Sequence, residues 1–252
     1  MNSGIYAAYT GLLSRTQALE TAANNLANST TNGFRAETNY FRGVMANQAQ
    51  DGFASHSDLE SSLNQFGILG GNRLDLRQGE ISATGNPLDL ALSGNGFFQV
   101  KTAGGTQLTR DGAFLRAADG TLTTQHGEAV LNVSGAPIVL PTGTVHVGSK
   151  GEVSVTAADG SSAIAGILGI ANYAATDLTP TGTNRFTAAA GAKSTAGDAT
   201  VQEGALEGAN QDAVHGTLQL MLVQRQAEMM QKALNVFHNE FDKTAAEELG
   251  RV

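Results

Sequence analysis

An apolar stripe with a spacing of mostly seven residues occurs near each end of the chain, and it limits the possible folds more than any other feature. Its positions are Ile5, Leu12, Leu19 and Leu26 in the first segment, and Leu218, Leu222, Met229 and Val236 in the second. A narrow stripe with this period is typical of an α-helix that packs along a seam against another helix. We therefore expect a helix from about 2 to 26 and another from about 210 to 249, paired in a coiled-coil-like domain.

The first of these helices is poor in charge, since only Arg15 and Glu20 precede Arg35. A seam between two helices buries too little apolar surface to offset the entropy lost when backbones of this length become ordered. We therefore expect the helical ends to order when neighbouring subunits cover their remaining faces. The eight stripe residues are accordingly predicted to form an assembly interface.

Between the helical segments the pattern changes to short runs of alternating apolar and polar residues. The runs are 88–92, 145–147 and 152–156, and Asp-Gly pairs at 111–112, 119–120 and 159–160 mark turns. The tetrapeptide Ala-Ala-Asp-Gly occurs at 117–120 and again at 157–160, which predicts two similar hairpin turns. Closely spaced strands without an intervening helix predict an antiparallel sandwich or a barrel-like domain.

These patterns together predict an α+β fold in four segments. Residues 1–33 form the N-terminal helix of the assembly domain, 34–78 an irregular linker or extension, 79–204 a central antiparallel all-β domain, and 205–252 the C-terminal helix of the assembly domain. The segment 34–78 is rich in Asn, Gln, Ser and Gly and has no clear periodicity, so we expect a functional extension or a segment that is poorly ordered alone, and the sequence assigns no role to 43–78.

Composition argues against several classes of partner. The net charge of −8, without any basic run, argues against nucleic acid, because phosphate binding needs clustered Lys and Arg. The absence of Cys excludes disulfides and thiolate metal sites. No basic segment followed by an apolar core opens the chain, so we expect no conventional secretion signal. The longest apolar stretch, 164–175, is shorter than the ~20 residues that span a bilayer, so we expect no membrane insertion.

Residues with catalytic or ligand-binding chemistry do not form a recognisable pattern. The five histidines lack metal-ligand spacing, and the pair Asp212 and His215 is better explained as a solvated helix face. The run Gly94-Asn95-Gly96 lacks the third glycine of a dinucleotide-binding loop, so it predicts a turn or bulge. We therefore expect no catalytic residue, no cofactor and no metal, and predict that the chain is not an enzyme.

Three blocks of the sequence nevertheless form a distinctive combination. The first contains Asn24, Asn25, Asn28, Thr31, Gly33, Phe34 and Arg35, the second covers 84–98 and 108–114, and the third joins 204–207 to Asn210. In this order the blocks resemble the signature of the bacterial flagellar rod and hook proteins. In the third block this family usually has Glu-Ser-Asn, whereas Gly208 and Ala209 stand between Glu207 and Asn210 here. The opening residues 3–8 are most similar to proximal rod proteins, with distal rod proteins as the alternative.

The resemblance implies a structural subunit of the flagellar basal-body rod, which polymerises into the tubular axle that transmits torque from motor to hook. It implies export through the flagellar type III apparatus without a cleaved signal peptide. It also implies as partners further copies of the chain, other rod proteins and the hook side of the axle. The competing hypothesis is a secreted β-domain binding module that is oligomerised by its terminal helices.

Overall fold

The computed structural model describes residues 2–42 and 68–249. Two α-helices stand at the ends of this part of the chain, α1 (Asn2–Ala27) and α2 (Ala213–Leu249). The strands between them are β1 Glu37–Arg42, β2 Ile68–Leu74, β3 Ile81–Ala83, β4 Leu90–Ser93, β5 Phe97–Thr102, β6 Gly105–Thr109, β7 Phe114–Arg116, β8 Leu122–Thr124, β9 Ala129–Val130, β10 Thr144–Val147, β11 Glu152–Thr156, β12 Ser162–Ile167, β13 Ile170–Asn172, β14 Leu178–Pro180, β15 Arg185–Ala188, β16 Thr195–Ala196, β17 Thr200–Glu203 and β18 Ala205–Glu207. A single 3₁₀ turn, Ala175–Asp177, precedes β14.

The chain divides into two compact units. The helical unit contains the described parts of 1–26, 37–73 and 214–252, and the β unit contains 27–36 and 74–213. Both units are therefore assembled from segments that are distant in sequence. Two short segments, 27–36 and 208–213, belong to the β unit and lie beside the helices in sequence.

The β unit is built from antiparallel sheets. Its largest sheet has the strand order β14-β15-β6-β5-β9-β8-β7, with β13 pairing to β5 and β16 pairing to β13. A three-stranded sheet has the order β10-β11-β12, and two further pairs join β17 to β4 and β18 to β3. In these last two pairs, strands from the beginning of the β unit lie beside strands from its end.

Strand β5 contributes to both apolar cores, because successive residues of a strand point to opposite faces. Phe98 lies in the larger core, where its ring meets that of Phe114 edge-on at a centroid distance of 5.2 Å. Phe97 lies in the smaller core, where it meets Phe186 edge-on at 5.4 Å. The central strand thus connects the packing on both of its faces.

The repeated Ala-Ala-Asp-Gly tetrapeptide forms two equivalent turns, as the sequence predicts. In each turn the glycine N–H donates to the carbonyl of the first alanine, over 2.9 Å in 117–120 and 3.0 Å in 157–160. The aspartate accepts a 2.9 Å hydrogen bond from the backbone N–H two residues further on, at Thr121 and at Ser161. The turns close the hairpins β7-β8 and β11-β12.

The segment 34–78 contains strands where the sequence alone indicates an irregular linker. Strands β1 and β2 pair with each other, and the carbonyl of Arg73 on β2 accepts a 3.3 Å hydrogen bond from the hydroxyl of Thr38 on β1. Residues 43–67 lie outside the described part of the chain. Polar side chains on both strands obscured the alternation that would predict them.

The prediction of an α+β fold with a coiled-coil-like pair of terminal helices is wrong. The structure is mostly β, with two helices and a large antiparallel β unit, and the described residues show no coiled coil. Within residues 9–27 of α1, the buried positions are small or polar, namely Ser14, Ala18, Thr21, Ala22 and Asn25. Two of these, Thr21 and Asn25, contact the β1–β2 pair through hydrogen bonds, so this face of α1 is occupied by strands.

The apolar stripe on α2 does not form a seam either. Among the residues of α2 whose burial is described, Gly216, Ala227 and Leu234 are buried, whereas the stripe residues of the prediction are exposed. Leu218 lies two positions from Gly216, which is a rotation of about 200° around the helix. The helices do approach each other at Gly11, where an added Cβ would lie 3.3 Å from Cε of Met230. No described helix is long and apolar enough to cross a membrane.

Phe114 and its neighbour Leu115 provide a test of the larger core. Phe114 is 1 % exposed and Leu115 is 51 % exposed, although both lie on β7. We expect Phe114→Ala to lower the free energy of unfolding by about 3–5 kcal/mol, because it removes a ring and leaves a cavity. Leu115→Ala is the matched control and is expected to change stability by less than about 1 kcal/mol. Urea denaturation of both variants, followed by circular dichroism, measures the difference; equal losses would contradict the described core.

Candidate assembly interface

The four predicted stripe residues of α2 form an exposed apolar row. Leu218, Leu222, Met229 and Val236 are between 55 and 62 % exposed. Met221, at 54 %, widens the row by one position. Isolated exposed apolar residues are common on proteins, but a row along several helical turns is typical of a surface that another molecule covers.

The predicted residues of α1 are placed differently. Leu12, Leu19 and Leu26 are partly buried, and the side chain of Ile5 lies outside the described residues. Leu13, next to this row, is 59 % exposed. For the described side chains, the row of α2 is thus exposed while that of α1 is partly buried.

Asn25 fixes the end of α1 to the first strand. Its side-chain amide donates to the carbonyl of Glu37 over 2.8 Å, and its side-chain oxygen accepts from the N–H of Glu37 over 2.9 Å. Both backbone groups of Glu37 are thus satisfied by one side chain, as buried or partly buried backbone groups require. A second contact is made by Asn72, which donates to Oγ1 of Thr21 over 3.3 Å and to the Glu37 carboxylate over 2.8 Å.

A polar groove lies between α1 and these two strands. It is lined by Gln17, Glu20, Thr21, Asn24, Glu37, Gly71 and Asn72. Two of these residues are acids and none is basic. Glu20 and Asn24 are exposed within the groove, and Glu37 is partly exposed.

In the β unit, one buried carboxylate binds two arginines from distant parts of the sequence. Glu207 Oε1 accepts from Nη2 of Arg35 at 2.5 Å, and Oε2 accepts from Nη1 of Arg110 at 3.0 Å. The side chains of Arg35 and Glu207 are 0 % exposed and that of Arg110 is 3 % exposed. We call these three residues the buried junction. Its charges are stabilised by mutual pairing, because an unpaired charge at this depth would be very unfavourable.

Further contacts satisfy most of the remaining polar atoms of the junction. The Arg110 guanidinium donates to the carbonyls of Leu92 at 3.1 Å and Gly94 at 2.5 Å, and it lies 5.3 Å from the ring centre of Phe97. Burial lowers the pKa of Arg110 from its usual value, while Glu207 acts in the opposite direction. Among the described residues, Nε of Arg35 and Nε of Arg110 are buried without a hydrogen-bond partner.

Gly33 and Asn210 hold the two connecting segments against the junction. The N–H of Gly33 donates to the carbonyl of Glu207 over 2.8 Å. Gly33 has a φ of +68°, and an added Cβ would lie 2.3 Å from the backbone nitrogen of Asp111, so no larger residue fits. The Asn210 side-chain oxygen accepts from the N–H of Ala36 over 2.7 Å, and its amide donates to the carbonyl of Asp75 over 2.7 Å.

Comparison of the sequence with known proteins gives consistent matches. The family model described as "Flagellar hook protein FlgE/F/G D1 domain" matches residues 91–155. A flagellar basal-body rod protein FlgF of Caulobacter vibrioides is 30 % identical over the whole length of both chains. A FlgG rod protein of Agrobacterium fabrum is 34 % identical over 90 % of this chain and 92 % of its own. One from Bacillus subtilis is 29 % identical over 89 % and 91 %.

The chain belongs to the flagellar basal-body rod protein family. The resemblance seen in the sequence is therefore confirmed. FlgF and FlgG proteins both match at similar identity, so the assignment is to the family that contains both types.

The structure shows what the sequence blocks of this rod protein have in common. Gly33, Phe34 and Arg35 from the first block, Arg110 from the second and Glu207 from the third meet at the buried junction. Sequence analysis identified the blocks but did not predict that their charged members pair. No sequence signal singles out this pairing, because the second block also contains the charged residues Asp89 and Asp111.

Other titratable groups give no indication of catalysis. Within residues 2–42 and 68–249, no group of His, Asp and Glu side chains has the arrangement needed for a metal ion. Burial raises the pKa of Asp111, whose carboxylate accepts hydrogen bonds from the backbone N–H of Ala113 and the side chain of Asn184. These contacts stabilise a turn of the rod protein beside Gly33.

Glu207→Gln tests the buried junction. The variant keeps the shape of the side chain but leaves two buried arginines without a countercharge, so we expect a loss of about 3–5 kcal/mol in the free energy of unfolding. The control is Arg77→Gln, which removes an ion pair to Asp75 from a side chain that is 83 % exposed, and we expect little change. Thermal and urea unfolding measure both variants. Equal stability of Glu207→Gln and the native protein would contradict the role of the junction.

Proposed function

We propose that this structural rod subunit is held in the flagellar axle by the exposed apolar row of α2, which neighbouring subunits cover. The observation that carries the proposal is the exposure of Leu218, Leu222, Met229 and Val236 on a helix whose opposite side is already buried. A helix that is apolar on opposite sides is stable in water only when both sides are covered. The partly buried residues Leu12, Leu19 and Leu26 and the predicted Ile5 provide a second contact surface.

The rigid β unit and the exposed helical surface suit the task of transmitting torque. Two apolar cores and the buried junction resist deformation within the β unit, since packed interiors have few alternative arrangements. Many weak and repeated contacts between copies are what a mechanical tube requires. Family membership supports copies of the chain and other rod components as partners, and the hook side of the axle is included in the proposal.

The cellular route is also part of the proposal. The subunit passes through the flagellar export apparatus without a cleaved signal peptide and enters the periplasm-spanning part of the basal body. Its support is family membership together with a Cys-free sequence, which cannot form wrong disulfides in an oxidising compartment. The subunit acts through binding and not through catalysis. A secreted binding module is not favoured, because the relatives are rod proteins.

Substitution within the α2 row tests the interface. We expect Leu222→Ser/Met229→Ser to abolish incorporation into basal bodies, because polar side chains remove the apolar contact between subunits. The free energy of unfolding of the isolated chain should change by less than about 1 kcal/mol, since both side chains are exposed. Gln219→Ser/Gln226→Ser, at exposed polar positions of the same helix, is the matched control. The measurement is the amount of each variant subunit in purified basal bodies. Normal incorporation of the Leu222/Met229 variant would overturn the proposal.

Deletion of residues 1–26 tests whether α1 is needed for incorporation into rods but not for folding of the β unit. We expect the β unit to remain folded, because its cores and the buried junction contain no residue from this segment. Incorporation into rods should be lost, because the contact surface of α1 is missing. Near-ultraviolet circular dichroism and basal-body purification measure the two properties. A truncated chain that still enters rods would contradict the predicted role of α1.

A further inference from the structure

The exposed row of α2 carries two positive charges that form no ion pair with described residues. Arg225 is three residues from Leu222 and four from Met229, and Lys232 is three residues from Met229 and four from Val236, so both lie on the apolar side. Both side chains are exposed. Neither forms an ion pair within residues 2–42 and 68–249.

The nearest acid on the helix offsets only part of these two charges. Between Ala213 and Val236 the only acid in the sequence is Glu228. Its carboxylate accepts a 3.2 Å hydrogen bond from Gln224, and it forms no ion pair with described residues. The stretch therefore keeps a net charge of +1, from Arg225 and Lys232 against Glu228, and a partner with apolar contact and negative charge suits it.

The polar groove beside α1 has the complementary charge. Its carboxylates, Glu20 and Glu37, lack a cationic partner among the residues that the structure describes. Glu37 is held in place by the amide of Asn72, and Asn25 fixes its backbone. A carboxylate in a preformed position binds a cation at a lower entropic cost than a free one.

The groove also has an apolar neighbour that matches the row. Leu13 is 59 % exposed and lies one helical turn from Gln17, which lines the groove. A partner helix that places a cation in the groove would therefore meet an apolar side chain of α1 next to it. The exposed row of α2 has this combination, because Arg225 and Lys232 alternate with its apolar side chains at spacings of three and four residues.

From this charge complementarity we infer that the α2 row of one subunit docks on the α1 groove of a second copy, with Arg225 and Lys232 facing Glu20 and Glu37. The two surfaces of one chain cannot meet each other, because the row of α2 is exposed in the structure. The contact is therefore heterologous, and a heterologous contact that repeats from copy to copy produces a ring or an open helical assembly. This inference rests on the proposed function and names the acceptor surface of the same interface.

Charge reversal provides the test. We expect Arg225→Glu/Lys232→Glu to lower the amount of subunit in purified basal bodies at least about tenfold, because like charges then face each other. The combined variant Arg225→Glu/Lys232→Glu/Glu20→Lys/Glu37→Lys should restore incorporation, since every copy carries the exchanged pair. Lys101→Glu/Lys150→Glu, which reverses two exposed charges on the β unit, is the matched control and should incorporate normally.

The absence of Cys permits a second measurement that does not depend on charge. Cells that express one chain with Glu20→Cys and another with Lys232→Cys should give a cross-linked dimer of the two chains in oxidised basal bodies. Glu20 is exposed and has no described hydrogen-bond partner, so its substitution is compatible with folding. Cross-linking of the Lys232→Cys chain to a different protein, or no cross-link, would overturn the choice of a second copy.

The outcomes distinguish this inference from the proposed function. If Leu222→Ser/Met229→Ser abolishes incorporation while charge reversal has no effect or is not rescued by the exchange, the row is an interface and the groove is not its acceptor. If the apolar variant also incorporates normally, both proposals are wrong. Rescue by the exchanged charges supports both.

Discussion

The ion pairing of Glu207 with Arg35 and Arg110 is the interaction on which the arrangement of the β unit depends. The three residues are separated by up to 172 positions in sequence, yet their charged groups lie within 3.0 Å. Because a buried charge is tolerated only with its partners, the segment that follows α1 and the segment that precedes α2 must both be in place before the unit is stable. The close packing of Gly33 and the hydrogen bonds of Asn210 have the same effect through backbone geometry.

The periodicity of the sequence predicted the terminal helices, and its turn signals predicted the antiparallel strands between them. Both features depend on local physics, since a helix or a hairpin is specified by residues within a few positions of one another. The family blocks predicted the rod protein identity. The partners of Glu207 could not be predicted, because pairing across the whole chain leaves no local pattern in a single sequence.

The prediction of a coiled coil is wrong because a local pattern does not show which surface a helix contacts. Periodicity shows that Leu218, Leu222, Met229 and Val236 share a face of a helix, but it does not show what covers that face. In α1 the buried residues are small or polar and are used to hold strands β1 and β2, which the polar sequence of those strands did not indicate. A stripe that belongs to a contact between molecules has the same spacing as one that belongs to a contact within a molecule.

The pairing of β3 with β18 and of β4 with β17 has a consequence for the order of folding. Each pair joins the beginning of the β unit to its end. During synthesis, β3 and β4 therefore cannot pair until β17 and β18 have been made. Contacts between such distant residues slow folding, because the loop between them must close before the contact contributes any stability. The β unit therefore cannot complete its fold until residues 200–207 are available. A nearly complete chain is still unfolded at that stage, so it can pass through a channel too narrow for the folded unit.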